Sequence, residues 1–230
     1  MKYNEIKRGV FLERPNRFIA RVLVDGAVET VHVKNTGRCR EILQPQAAVI
    51  LERSGHAGRK TAYSLIAAYK GEVLINIDSQ VPNQVVYEAL RQGLLPEFAG
   101  LTRIAREVRY GNSRFDLYFE NAAGRGFIEV KGVTLEREGT ALFPDAPTER
   151  GTKHLLELIE AVKSGYSAHA FFLIQMKGPH LFQPNTATDP GFSNALRLAR
   201  DNGVKILVYD SMVTEDGIAI GERVEFVPYP

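Results

Sequence analysis

Apolar and polar positions alternate in short runs over the first third of the chain. Gly9–Glu13, Phe18–Val24, Val28–Val33, Ala47–Glu52, Ala62–Tyr69 and Val73–Ile77 each read as a strand. Asp25-Gly26 separates two of these runs, and that pair favours the tight turn of a hairpin. Many short strands separated by turns predict a small barrel or sandwich. An OB-like (oligonucleotide-binding) β-barrel is one arrangement that fits.

The period changes near residue 80. From Val81 the pattern is helical, with Pro82 suited to a first turn and Gly93 to a stop. Val86, Ala89 and Leu90 form its apolar stripe, and Glu88 lies close to that stripe. Three strand-like runs follow, Glu107–Tyr110, Asn112–Phe119 and Gly126–Lys131. Residues 148–164 predict an amphipathic helix with Leu155, Leu158, Ile159 and Val162 inward and Gly165 at its end. The unbroken apolar run within Ala168–Gln175 predicts a central strand covered on both faces. A helix over Phe192–Asn202 and a strand over Val204–Tyr209 complete the order α-β-β-β-α-β-α-β. That order predicts a mixed sheet flanked by helices, so the fold class is α/β (α+β). The expected division is a barrel over 1–80 and an α/β domain over 81–230.

Composition narrows the function more than the fold. A hydrophobic content of 44% over 230 residues supports a sizeable core, and the net charge of +2 describes no polycation. Nucleic-acid affinity must therefore come from local basic surface. Two loops carry such charge, Lys34–Arg40 and Arg53–Lys60. Asn35, Thr36, Arg38, Arg40, Arg59 and Lys60 are the candidate contacts there; an ordinary solvated loop is the plainer alternative. The single cysteine, Cys39, excludes an internal disulfide and fits a cytoplasmic setting. Neither a signal-peptide core nor a membrane-spanning run is evident, so no membrane partner is expected.

The candidate chemistry centres on Gly126–Gly132. Period two puts Glu129 and Lys131 on one face of a strand and Val130 on the other. In the run before it, Phe115, Leu117 and Phe119 share one face, with Asp116 opposite. Pairing the two runs through a hairpin at 121–125 would bring Asp116 to Glu129 and Lys131 across the ladder. Two carboxylates and an amine on an exposed sheet face suit Mg2+ or Mn2+ and phosphodiester cleavage. Asp116 and Glu129 are the expected metal ligands, with the Val130 carbonyl as a further donor. Lys131 would orient water or stabilise developing charge. Arg114 beside Asp116, and Arg150, Lys153 and His154 at the start of the following helix, are candidate phosphate contacts. A surface ion pair is the bland alternative for Glu129 and Lys131. The five histidines show no zinc-ligand spacing.

Four blocks together carry a resemblance. They are Asn112-Ser113-Arg114-Phe115-Asp116, Glu129–Leu135, Ala141–Ala146 and Thr148–Leu155, supported by Asn35-Thr36-Gly37 and Val81-Pro82-Asn83. The chain closely resembles the sugar fermentation stimulation protein family of prokaryotes over nearly its whole length. The family's usual small residue and methionine after Asn35-Thr36-Gly37 are here Arg38 and Cys39. The resemblance implies an N-terminal OB-like barrel and a C-terminal mixed-sheet domain of the D…(D/E)xK nuclease fold. It also implies Asp116, Glu129 and Lys131 as that motif's acid, acid and lysine, and Glu88 as the acid on the first core helix.

The expected function is therefore DNA binding with a metal-dependent nuclease site of the D…ExK type. A non-catalytic DNA-binding regulator of sugar metabolism genes is the alternative, and an enzyme acting on a phosphorylated small molecule is a third reading. DNA is the expected partner, with RNA left open. An exposed sheet edge or apolar barrel wall would suit a homodimer.

Overall fold

The computed structural model describes residues 1–35, 37–55, 58–111 and 113–228. Its first part contains β1 (Ile6–Asn16), β2 (Ile19–Val24), β3 (Ala27–Val33), β4 (Ala48–Arg53), β5 (Tyr63–Lys70) and β6 (Val73–Asn76). The strands run in the order β3-β2-β1-β4-β5-β6, and β3 also pairs with β5. That last pairing closes β1 to β5 into a barrel, which removes their free edges. Inward positions alternate as the pleat requires, and Ala20, Val22, Val31, Val49, Leu51 and Leu65 are buried inside. Asp25 and Gly26 adopt φ of 48° and 83°, so the β2–β3 hairpin forms where the sequence predicts it.

The second part opens with α1 (Val81–Arg91), then β7 (Leu101–Tyr110), β8 (Ser113–Asn121), β9 (Gly124–Val133), β10 (Leu135–Arg137) and β11 (Thr140–Phe143). It continues through α2 (Glu149–Lys163), β12 (Ser167–Ile174), β13 (Leu181–Pro184), α3 (Pro190–Asp201), β14 (Lys205–Thr214), β15 (Gly217–Arg223) and β16 (Glu225–Phe226). The main sheet has the order β15-β14-β12-β9-β8-β7. β12 is central and parallel to both β9 and β14, as its continuous apolar run predicts. Val81, Val85, Val86, Ala89 and Leu90 of α1 pack with Leu117, Phe119, Ile128, Val130 and Phe171 on one face of this sheet. Leu155 and Leu158 of α2 and Phe192 of α3 pack with Phe127 and Phe172 on the other.

The start of α2 is fixed on two sides. The Thr148 hydroxyl accepts a hydrogen bond from the Gly151 N–H at 3.0 Å. The Thr148 N–H donates to Asp189 Oδ2 at 2.8 Å, while Asp189 Oδ1 caps α3 through the Phe192 N–H at 2.9 Å. One aspartate thus holds two helix starts in register.

Three features lie beyond the sequence reading. A small sheet, β10-β11-β13-β16, forms from strands of four residues or fewer. Such short runs have no resolvable period. β15 adds an antiparallel edge after the last strand read from the sequence. The chain start also leaves the barrel: the Met1 amine donates to the Ile218 carbonyl at 3.0 Å and the Tyr3 N–H to the Asp216 carbonyl at 2.8 Å.

A polar network at the base of the barrel seats it on the second part. The Lys34 ammonium lies 3.0 Å from both Glu52 and Asp78. Gln175 Nε2 donates to Asn76 Oδ1 and to the Asp78 carbonyl, each at 3.0 Å. Lys34 opens the basic loop in sequence, but its charge is spent inside this network. Among the described residues no helix is long and apolar enough to cross a membrane.

Candidate functional site

The β8–β9 ladder ends at Leu117↔Ile128. Beyond it the strands part, and the Asp116 carboxylate enters the gap. Asp116 Oδ2 accepts from the Val130 N–H at 2.8 Å, in place of a ladder partner. Asp116 Oδ1 accepts from Asn83 Nδ2, in the first turn of α1, at 2.6 Å. The alternation of β8 breaks here. Leu117 and Phe119 pack on the α1 face, whereas Phe115 packs on the α2 face, 5.0 Å from the Phe127 ring. The expectation that Phe115, Leu117 and Phe119 share a face is thereby corrected. Opposite this break, Glu107 of β7 adopts φ of 55°, and the β7–β8 pairing skips from Arg106↔Leu117 to Val108↔Phe115. A left-handed residue in mid-strand distorts the pleat locally.

Glu129 and Lys131 project from β9 on the α2 face, as period two requires. That face is not open to solvent, and the expected exposed acidic surface is corrected too. Glu129 is only 3% exposed because α2 covers it. Its Oε1 takes the Lys131 ammonium at 2.6 Å and the Nδ1 of His154 from α2. Arg150 Nε donates to His154 Nε2 at 3.5 Å, which puts the imidazole proton on Nδ1, toward Glu129. Burial alone would raise the Glu129 carboxyl. The His154 hydrogen bond and the Lys131 charge outweigh it and hold the group below the usual range. Asp116 goes the other way: burial, and next the charge of Glu129, push it up to about 6.

The residues fit a hard cation. Glu129 Oε2 is buried with no hydrogen-bond partner, an orphan acceptor that a positive ion would satisfy. A cation beside the two acids would also relieve the repulsion that Glu129 exerts on Asp116. The N–H and C=O of one strand residue point to the same edge, so the Val130 carbonyl lies on the Asp116 side. Among the described residues no cluster of three or more His, Cys, Asp or Glu side chains forms an ion cage. An ion here would keep several water ligands, as magnesium commonly does.

The remaining candidates separate into groups. Ser113, Arg114, Glu149, Arg150, Lys153 and His154 line one open cleft beside the acids. Arg114 lies 3.4 Å from Glu107, and Lys153 lies 3.7 Å from Glu157. His154 is the buried partner of Glu129 rather than a surface histidine. Glu88 has other partners: the Met1 amine at 2.6 Å and Gln84 at 2.7 Å. Five residues along the helix place it about 140° round from Asn83, so Glu88 and Asn83 serve different faces. Asn35 shapes its own loop, donating to the Ile77 carbonyl at 2.9 Å and accepting from Gly37 N–H at 2.7 Å. Arg38, Arg40, Arg59 and Lys60 are exposed on the barrel, with Arg59 donating to Ser64 at 3.2 Å. Thr36 lies outside the described residues. Sequence reasoning missed the role of Asn83, although the Val81-Pro82-Asn83 signal was there. It also missed Arg14 and Asp145, which hold the Asn35–Arg40 loop.

The fold defines a class, an oligonucleotide-binding-type barrel joined to a mixed sheet flanked by helices. Within that class the chain belongs to the sugar fermentation stimulation protein family. Residues 12–77 match the family's "SfsA N-terminal OB domain", and residues 80–217 match its "Sugar fermentation stimulation protein RE domain". A sugar fermentation stimulation protein homolog from Alkaliphilus oremlandii is 55% identical over 230 residues, covering 98% of each chain. One from Clostridium perfringens (strain 13) is 53% identical over 229 residues, covering 99% of this chain and 100% of the relative. The structure of Pyrococcus furiosus SfsA in complex with Ca2+ superimposes with a TM-score of 0.90 at 29% identity, covering 99% of this chain and 98% of that one.

Proposed function

We propose that the protein is a metal-dependent nuclease that binds DNA and hydrolyses its phosphodiester bonds at Asp116, Glu129 and Lys131. The reading rests on one observation: a buried carboxylate oxygen, Glu129 Oε2, has no hydrogen-bond partner. The Ca2+ complex of the Pyrococcus furiosus relative supports a divalent-ion site, with Mg2+ or Mn2+ as the working ion here. Asp116 and Glu129 would hold that ion, with the Val130 carbonyl as a further donor. When bound, it would neutralise both carboxylates, polarise a phosphodiester and lower the pKa of a bound water.

The chain's own groups do the rest. Asn83 and the Val130 N–H fix the orientation of Asp116. His154 and Lys131 fix Glu129. The remaining N–H groups of Lys131 can donate to a phosphate oxygen or to the attacking water. Arg114, Arg150 and Lys153 line a cleft wide open to a polymer and grip flanking phosphates.

The test is incubation of pure protein with Mg2+ or Mn2+ and labelled DNA or RNA. Cleavage is expected, and Asp116→Ala and Glu129→Ala should abolish it. Cleavage at the unaltered rate in both variants would overturn the assignment.

One observation favours the second reading, a non-catalytic DNA-binding regulator. The Lys131 ammonium and the His154 hydrogen bond already hold Glu129 in its ionised form. That protein would bind DNA with a steep salt dependence, cleave nothing and be indifferent to metal.

A further inference from the structure

Phe18 stands at the turn between β1 and β2, 49% exposed. Among the described residues it is the only phenylalanine or tyrosine that projects so far into solvent. A lone exposed apolar side chain is ordinary. The setting of this one is not. Asn16 Oδ1 accepts from the Phe18 N–H at 2.9 Å and the Ile19 N–H at 3.1 Å, so the turn is held in one shape. The Arg17 guanidinium lies 5.5 Å from the ring centroid. A cation against one side of the ring favours a held ring over a mobile tip.

The turn is also tied to the basic loop. One guanidinium, that of Arg14, donates to the carbonyls of Gly37 at 2.8 Å and Arg38 at 2.9 Å. The same group donates to the carbonyls of Arg17 at 2.7 Å and Asn35 at 2.6 Å. The loop is in turn docked on the second part of the molecule, where the Arg38 N–H donates to Asp145 Oδ2 at 3.2 Å. Asp145 lies just before Thr148, the cap of the helix that carries Arg150. Phe18, Arg38, Arg40 and Arg150 are all exposed along this path. It leads from the tip of the barrel to the cleft beside Asp116 and Glu129.

We propose that Phe18 is a stacking platform for an unpaired nucleobase, and that Arg17, Arg38 and Arg40 carry the attached single strand toward the Arg114–Arg150 cleft. The proposal rests on the nucleic-acid reading above and adds a substrate class, single-stranded nucleic acid. A base inside a duplex already stacks on its neighbours, whereas an unpaired base has a free face for an aromatic ring. Stacking tolerates any base, so the site would select strandedness rather than sequence.

The chain contains no tryptophan. Phe18→Trp therefore introduces a single indole reporter. It should be titrated with a thymidine homopolymer about 15 nucleotides long, within the span of an oligonucleotide-binding barrel, and with a blunt duplex, both in chelator to prevent cleavage. Emission should be quenched by the single strand and little changed by the duplex. Phe18→Ala should weaken single-strand binding about tenfold and leave the salt slope unchanged, since no charge is removed. Arg38→Ala should lower that slope. If the unaltered protein binds the strand, equal affinity in Phe18→Ala together with unquenched emission in Phe18→Trp would overturn the proposal alone. Failure of the unaltered protein to bind any nucleic acid would overturn the nucleic-acid reading, and this proposal with it.

Discussion

Asn83 Nδ2 donates to Asp116 Oδ1 at 2.6 Å, from the first turn of α1 into the gap between β8 and β9. The amide fixes the plane of a carboxylate whose other oxygen is held by the Val130 N–H. Asp116 can then meet an ion without first losing rotamer freedom. Groups that orient a metal ligand in this way typically contribute a factor of about 10 to 100 in affinity. Asn83→Ala is expected to weaken Mn2+ binding by about tenfold or more in calorimetric titration while leaving the fold intact. Unchanged affinity would show that Asp116 needs no such support.

The ionised Asp116 opposes folding while no cation is bound. Its carboxyl is raised from 3.8 to about 6 in the folded protein, so the unfolded chain gives up this proton first. Stability is fullest below the unfolded value and declines as pH rises through about 6. At neutral pH the shift corresponds to roughly 3 kcal/mol. Asp116→Asn removes that charge but mismatches one of its two donors, so the net gain should be about 1 to 2 kcal/mol. Urea unfolding of metal-free protein at pH 7 checks this, and the gain should shrink at pH 4. A loss of stability at pH 7 would contradict it.

Glu129 behaves differently because its charge is matched. Removing it strands the Lys131 ammonium, which is only 17% exposed, and takes the carboxylate partner from His154. Glu129→Ala should destabilise the protein by roughly 3 kcal/mol, as breaking a buried pair does. Glu129→Gln should cost less, because the amide oxygen still accepts a hydrogen bond. Thermal melts of the two variants give the comparison; equal melting temperatures would mean the pair is neutral to folding.

Acid should loosen the main sheet at His169. This side chain is 2% exposed between the rings of Phe98 and Phe119, at 4.7 and 5.5 Å. Burial, and then the charge of Lys205, lower it to about 4. The folded protein keeps His169 neutral while the unfolded chain takes up a proton near pH 6.5, so stability falls as pH drops from there toward 4. The contribution is about 3 kcal/mol over that window. His169→Gln cannot titrate and should flatten the acid limb of a stability–pH curve. An unaltered limb would place the acid sensitivity elsewhere.

Local pattern alone determined much of this protein. Period two placed Glu129 and Lys131 on one face, and the 3.6-residue period placed Leu155, Leu158 and Ile159 of α2 toward the core. The continuous apolar run placed β12 at the sheet centre, and Asp25-Gly26 placed a hairpin. Each of these depends on neighbours a few residues away, and a linear pattern carries such information. Tertiary structure decided the rest. Asn83 and Asp116 are 33 residues apart, and Arg38 meets Asp145 across 107. Phe115 left the face of Leu117 where the β7–β8 pairing passes over Glu107 and Asp116. Glu88 turned from the site because a helix face, and not a stripe of sequence, decides what a side chain meets. Glu129 is buried only because α2 lays His154 over it. A charged side chain enters an interior when its partners arrive, and these came from a helix packed by long-range contacts.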